Sequence, residues 1–292
     1  MRTAVFERLR IGPIELSNRI ALAPVKTALG GTDGLATDRH AAYYRRRARG
    51  GAGLLILEPL FVDPMGREHP RQLTATTDEC IPGLERLVEA VHAEGSLIFA
   101  HLNHAGRAAN PKAIGGAPEA PSAVPCPSTG ATPESMSSER IGQVLGCYAE
   151  AARRVREAGF DGVELQLGLG YLPAQVLSLR TNLRVDEWGG EEGRWRFIDR
   201  VVTLVRGAMG PELALSARIS ADEKVEGGLG PDDAVVLARR VEGSGVDALH
   251  VATGSACDSP PWYYQHMALP RGVNERLASQ LRMAVAAPVM VA

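Results

Sequence analysis

SNRIALAPVKT, residues 17–27, is the stretch that decides the fold. A short apolar run, Ile20-Ala21-Leu22, ends in Ala23-Pro24 and opens into Val25-Lys26-Thr27. Six more β-rich runs follow: GLLILEP (53–59), SLIFAHL (96–102), DGVELQL (161–167), LALSARIS (213–220), DALHVATG (247–254) and APVMVA (287–292). Between most of them lie helix patterns with apolar positions every three to four residues, at 81–95, 144–159, 196–210, 231–245 and 273–286. Several end in Gly and run directly into the next strand, as a helix C-cap and a short turn would. This plan predicts parallel βαβ units with right-handed crossovers. A doubly wound open sheet would usually place a phosphate-binding G-x-G-x-x-G after its first strand, and Pro24-Val25-Lys26-Thr27 stands there instead. The expected fold is therefore an α/β (β/α)8 TIM barrel forming one domain over 1–292, with its chemistry at the C-terminal strand ends.

A composition of 45% apolar and 23% charged residues suits a globular core and argues against disorder. The net charge of −2 gives no footprint for nucleic acid, and RRRAR at 45–49 reads as the solvated end of a helix. No apolar run approaches the ~18 residues that span a bilayer, and the N-terminus lacks a signal-peptide core, so no membrane partner and a cytoplasmic location are expected. Cys80, Cys126, Cys147 and Cys257 lie far apart, without C-x-x-C spacing, and read as buried or incidental thiols.

The strand count is one short. The chain stops inside the seventh strand, so the barrel is expected to lack its eighth strand and the phosphate-binding loops of strands seven and eight, with the functional polypeptide longer. Two long segments, 103–139 and 255–270, follow strands three and six and are expected to cover the pocket. The second holds PPWYYQHM. After strand four, VELQLGLGYLPAQ (163–175) runs through two glycines to Tyr171 with no acid, base or nucleophile between Glu164 and the tyrosine.

SNRIALAPV, YYRRRARGGAGLLILEP, HLNHAGR, EAPSAVP, FDGVELQLGLGYLPAQVLSLRTNLRVDEWGG and ARISADE, in this order, resemble the Old Yellow Enzyme or NADH:flavin oxidoreductase family. The similarity is to its branch with 2,4-dienoyl-CoA reductase and trimethylamine dehydrogenase. The resemblance implies an FMN barrel in which NAD(P)H reduces the flavin and the flavin passes hydride to an activated alkene. It places Pro24, Val25 and Lys26 beneath the flavin, where the third position is commonly Thr, Cys or His. A lysine there would stabilise the negative reduced ring, or it snorkels to solvent. Arg218 matches the arginine at the flavin N1/C2=O edge. His101 stands where the family has a glutamine pairing with the pyrimidine edge, and Glu58 either lines the flavin or caps the next segment.

The family's H-x-x-H-G-Y or H-x-x-N-G-Y segment falls on 166–171. Its first and fourth residues bind the substrate's electron-withdrawing oxygen, and its tyrosine protonates the alkene carbon opposite the hydride. Here these positions are Gln166, Leu169 and Tyr171, so the resemblance implies an altered anchor beside a retained proton donor, unless Tyr171 is merely a packed tyrosine. Asp258 falls near another active-site position of relatives, or is a turn residue. Trp262, Tyr263, Tyr264 and His266 in the same loop are further replacement donors. His101 and His104 form an H-x-x-H, but three-residue spacing on a strand points to opposite faces, and no metal is expected. Asn182, Arg184, Asp186, Gly189 and Gly190 read as loop staples.

The leading expectation is an FMN-dependent ene-reductase-like oxidoreductase with a small-molecule substrate. The alternatives are amine or alcohol oxidation, which needs no oxyanion donor, and a barrel that has lost turnover. Homo-oligomerisation is left open.

Overall fold

The computed structural model describes residues 4–291. Residues 1–3, and residue 292 at the end of the 287–292 run, lie outside the described part. Seven parallel strands follow one another in chain order: β1 (Ala21–Leu22), β2 (Leu54–Ile56), β3 (Leu97–Asn103), β4 (Gly162–Gln166), β5 (Ala214–Ser220), β6 (Ala248–Ala252) and β7 (Val289–Val291). This is a nearly closed barrel, as the repeating plan predicts. A short segment, Leu60–Phe61, extends the sheet alongside the end of β3.

The principal helices are α1 (Asp38–Arg49), α2 (Ile81–His92), α3 (Ser138–Glu157), α4 (Gly190–Met209), α5 (Pro231–Gly243) and α6 (Glu275–Ala284). Each turns one apolar stripe onto the sheet: Leu84, Leu87, Val88 and Val91 from α2, and Val201, Val202 and Val205 from α4, all enter the same outer core. The basic run at 45–49 completes α1, where Arg45 and Arg49 both grip Glu94. Helix α3 begins at Ser138, six residues before the sequence pattern at 144. The Ser137 hydroxyl caps it by accepting from the Arg140 amide at 3.0 Å.

Along each strand the side-chain period of two sends alternate residues into the barrel. The lowest interior layer holds Leu54, Ile56, Phe99, Ala214 and Ala248 near the N-terminal strand ends. A hairpin of Leu9–Ile11 and Ile14–Leu16 seals that mouth with Ile11 and Leu16. Its turn requires Gly12: φ is +52°, and a Cβ there would meet the Asp247 carboxylate. Asp247 in turn is held by Arg206 and the Leu215 amide. The bottom is thus apolar and plugged, and polar residues occupy the layers above.

The cysteine expectation needs correction. Cys126 and Cys257 form a disulfide that joins the two long segments 103–139 and 255–270. Their separation of 131 residues hid the pairing from any spacing rule, since only the barrel brings the loops after β3 and β6 together. Cys80 and Cys147 remain free thiols. No helix among the described residues is long and apolar enough to cross a membrane.

Two outcomes follow. Labelling denatured, unreduced protein with iodoacetamide should modify two of the four cysteines and reduction should expose all four; four labels without reductant would contradict the staple. Phe99→Ala, which empties the centre of the sealed layer, should lower unfolding free energy by about 3–5 kcal/mol in a urea titration.

Candidate active site

Above the sealed layer, the C-terminal strand ends surround a cleft of about 430 Å³. Pro24, Val25, Lys26, Pro59, His101, Gln166, Leu169, Tyr171, Arg218, Tyr263 and Tyr264 line it. The strands explain the gathering. In register, His101 sits beside Glu164, Gln166 beside Arg218, and Arg218 beside His250, all on the interior face.

Beneath the cleft lies a buried carboxylate. Glu164 accepts from His101 Nδ1 at 2.8 Å and His250 Nδ1 at 2.9 Å, with the Ser216 hydroxyl at 3.4 Å. Burial alone would push its proton affinity up, but the two imidazoles outweigh that and hold the carboxyl well below its usual range. Burial also lowers His101, against the pull of Glu164, so its ring is neutral at rest. A carboxylate offers no proton, so the His101 proton sits on Nδ1 and Nε2 is left as an acceptor. The Gln166 amide nitrogen is 3.3 Å from that atom, while its oxygen accepts from the Gly168 amide at 3.2 Å.

One wall of the cleft is a polar cluster whose members come from four distant segments. Lys26 pairs with Glu68 and lies 3.2 Å from both the Tyr171 and Tyr263 hydroxyls. Tyr171 donates to Glu68 at 2.8 Å and shares a 2.7 Å contact with Tyr263. Burial would lower Lys26, but the Glu68 charge and Tyr263 overcome it and hold the ammonium charged. Tyr171 is pushed well above 10 by burial, then by Glu68 and Tyr263, and so keeps its proton at neutral pH. Lys26 does not simply extend into solvent. Glu68 had no signal in the sequence beyond being a carboxylate, and only the loop after β2 brings it here.

Leu169 sits at φ +60° and Gly170 at +72°. Leu169 is held by a 2.7 Å bond from its amide to the Ser220 hydroxyl, and it packs with Tyr171 and the Cys126–Cys257 bridge. The left-handed region is unusual for leucine and enriched in Asn and His. The backbone at this position therefore suits asparagine or histidine better than the leucine it carries. Gly168 is needed because a Cβ would collide with Ile219 and Ser220.

Two sequence expectations are corrected. Glu58 does not line the cleft: its carboxylate accepts from the Thr27 amide at 3.2 Å and the Thr27 hydroxyl at 2.5 Å, tying down the loop that carries Lys26. Burial raises Glu58 and lowers the neighbouring His40 to about 4, so their 3.5 Å approach is no ion pair at neutral pH. Asp258 also lies outside the lining. It is buried between Arg107 and Arg180, where it ties the two long loops together. Both carboxylates answer to chain segments far away in sequence, which motif spacing does not reveal. His101 and His104 engage different partners, the latter accepting from the Gly106 amide at 3.0 Å. The staples behave as read: Asn182 donates to the Val176 and Trp188 carbonyls, and Arg184 clamps Asp186.

Arg218 supplies the test for a cofactor. Its Nε is buried and has no hydrogen-bond partner within the protein, although the side chain faces the cleft. An unpaired buried guanidinium donor is costly and fits an acceptor carried by a ligand. With His101 Nε2, whose protein contact is the 3.3 Å Gln166 amide, in the same cleft, the set suits the polar edge of a ring such as isoalloxazine.

Comparison with known proteins defines the class. The profile of the NADH:flavin oxidoreductase / NADH oxidase family matches residues 4–285. The chain belongs to this family, whose barrel uses FMN with a reduced nicotinamide as hydride donor. It is 38% identical over 289 residues to an NADH oxidase of Thermoanaerobacter brockii, covering 98% of this chain and 44% of that protein. An NADPH dehydrogenase of Listeria monocytogenes is 36% identical over 260 residues, covering 88% and 75%. The structure of a 2-naphthoyl-CoA reductase with 2-naphthoyl-CoA superposes with a TM-score of 0.94 at 26% identity, over 99% of this chain and 46% of that one. The chain thus spans less than half the length of the first of these relatives.

Lys26→Met should release Glu68 and both tyrosine hydroxyls from their shared cation. Without that cation Tyr171, already raised well above 10 by burial, should ionise at higher pH still in an ultraviolet titration, whereas curves identical to the wild type's would mean the cluster is not electrostatically joined.

Proposed function

We propose that this chain is the FMN-binding catalytic barrel of an NAD(P)H oxidoreductase that reduces an activated alkene. Family membership supports the cofactor and the reductant. The single observation that carries the chemistry is Tyr171: a protonated phenol on the cleft wall, 3.2 Å from the Lys26 ammonium. FMN, when bound, supplies hydride transfer. Arg218 and His101 are the residues that would hold its polar edge, and Pro24, Val25 and Lys26 line the same space.

Tyr171 then gives its proton to the substrate carbon that accepts no hydride. The phenolate left behind lies beside Lys26, whose charge stabilises it, while Tyr263 at 2.7 Å offers a proton to restore the phenol. Leu169 and Gln166 form the substrate side of the cleft. Leu169 donates nothing, and the Gln166 amide is turned onto His101 and Gly168 rather than held free. Each placed donor to a developing oxyanion is typically worth about 2.7–4 kcal/mol. This pocket therefore favours substrates already electron-poor over simple enones.

The apolar Leu169 also favours a second reading, oxidation of an amine or alcohol by the flavin, because that reaction develops no oxyanion. Stopped-flow measurements separate the two. Protein purified with FMN should be yellow and bleach with NADPH under anaerobic conditions, and reoxidation by an electron-poor alkene should follow. Tyr171→Phe should slow that reoxidation by about 10²-fold or more while leaving NADPH bleaching intact. Bleaching by amines but not by NADPH would favour the second reading, and colourless protein that takes up no FMN would overturn both. Gln166→His with Leu169→Asn should raise reoxidation by cyclohexenone by about 10²-fold; no gain would mean the pocket is closed to that substrate for another reason.

A further inference from the structure

We propose that His101, held by Glu164, takes up one proton from solvent when the flavin is reduced and releases it on reoxidation. The proposal rests on the reading that the cleft holds FMN. His101 is buried, yet it lines the cleft, and its two nitrogens are treated differently by the fold. Nδ1 is committed to Glu164 at 2.8 Å, so its proton cannot leave without stranding a carboxylate. Nε2 is an acceptor whose one protein contact is the long 3.3 Å approach of the Gln166 amide. A second proton entering at Nε2 would create an imidazolium already paired with Glu164.

The surrounding charges are closely balanced. From β4, Glu164 favours the imidazolium, while Gln166 is neutral. From β5, Arg218 opposes it and Ser216 is neutral. From β6, His250 shares the opposite oxygen of Glu164 at 2.9 Å. Lys26, in the loop after β1, adds a second cation across the same cleft, and Glu58 at the end of β2 is turned away onto Thr27. Burial and Arg218 keep the ring neutral at rest against the pull of Glu164. A new negative charge in the cleft tips that balance toward protonation, because interactions of charges in a poorly solvated site are strong.

The step balances simply. A reduced nicotinamide delivers a hydride, which is two electrons and one proton, and the cofactor gains a net negative charge. One further proton from solvent forms an N–H bond at His101 Nε2, and no bond breaks in the protein. A glutamine, which the family resemblance places at this position, has no such group and holds its charge through the cycle. The substitution therefore converts a passive ring contact into a redox-coupled one, and Glu164 and His250 act as positioning residues for it.

The experiment is a spectroelectrochemical titration of the flavin in the full FMN-loaded protein between about pH 6 and 8. A two-electron couple shifts by 29.6 mV for each tenfold change in K, so uptake of two protons gives a slope of about 59 mV per pH unit and uptake of one gives about 30. The wild type should show the steeper slope and His101→Gln the shallower one. A wild-type slope near 30 mV, or a steep slope that survives His101→Gln, overturns the proposal. Protein that binds FMN yet shows a one-proton slope leaves the functional reading standing, whereas protein that binds no FMN overturns both.

Discussion

The arrangement of the upper barrel depends on one buried carboxylate. Glu164 is fully enclosed, and a charge removed from water survives only when its lone pairs are satisfied. Here two imidazole N–H groups and a serine hydroxyl do so, each from a different strand. This fixes the Nδ1 protons of His101 and His250 and ties the four consecutive strands β3 to β6 together. It also directs Nε2 of His101 toward the cleft, in the layer where Arg218 presents its unpaired Nε. The apolar layer below, closed by the N-terminal hairpin, excludes water from the carboxylate's lower side.

Around that frame the cleft is asymmetric. One wall is a dense polar cluster of Lys26, Glu68, Tyr171 and Tyr263, with every hydroxyl and the ammonium within hydrogen-bonding reach of another member. Packed against it is Leu169, an apolar side chain on a left-handed backbone. The protein thus keeps the means to hold and give a proton while presenting little to hold an oxyanion. The roof is tied down covalently by Cys126–Cys257 and electrostatically by Asp258 between two arginines. Both ties join the same pair of loops, so the aromatic segment carrying Tyr263 is fixed relative to the loop after β3.

Much of the fold was legible because it is periodic. Seven strand runs, the intervening helices and the absent glycine fingerprint after Leu22 predict a barrel from local patterns alone, and only boundaries such as the start of α3 moved. The parts of the site lying on strands were legible for the same reason: His101, Gln166 and Arg218 reach the cleft because strand parity places them there. What the sequence concealed are pairings across the barrel. Glu68 meeting Tyr171, Cys126 meeting Cys257, Asp258 between Arg107 and Arg180, and Glu58 under Thr27 join residues separated by 31 to 151 positions. Such contacts are set by closure of the sheet, which no window of sequence contains.

The central claim is that Arg218 and His101 face the polar edge of a flavin while Tyr171 faces its substrate. The most direct measurement is a crystal structure of the protein with FMN bound. The isoalloxazine should lie in the cleft with the Arg218 Nε donating to it and His101 beside its polar edge, leaving Tyr171 across the open face. A ring bound elsewhere, or Arg218 still without a partner in the loaded protein, would contradict the claim.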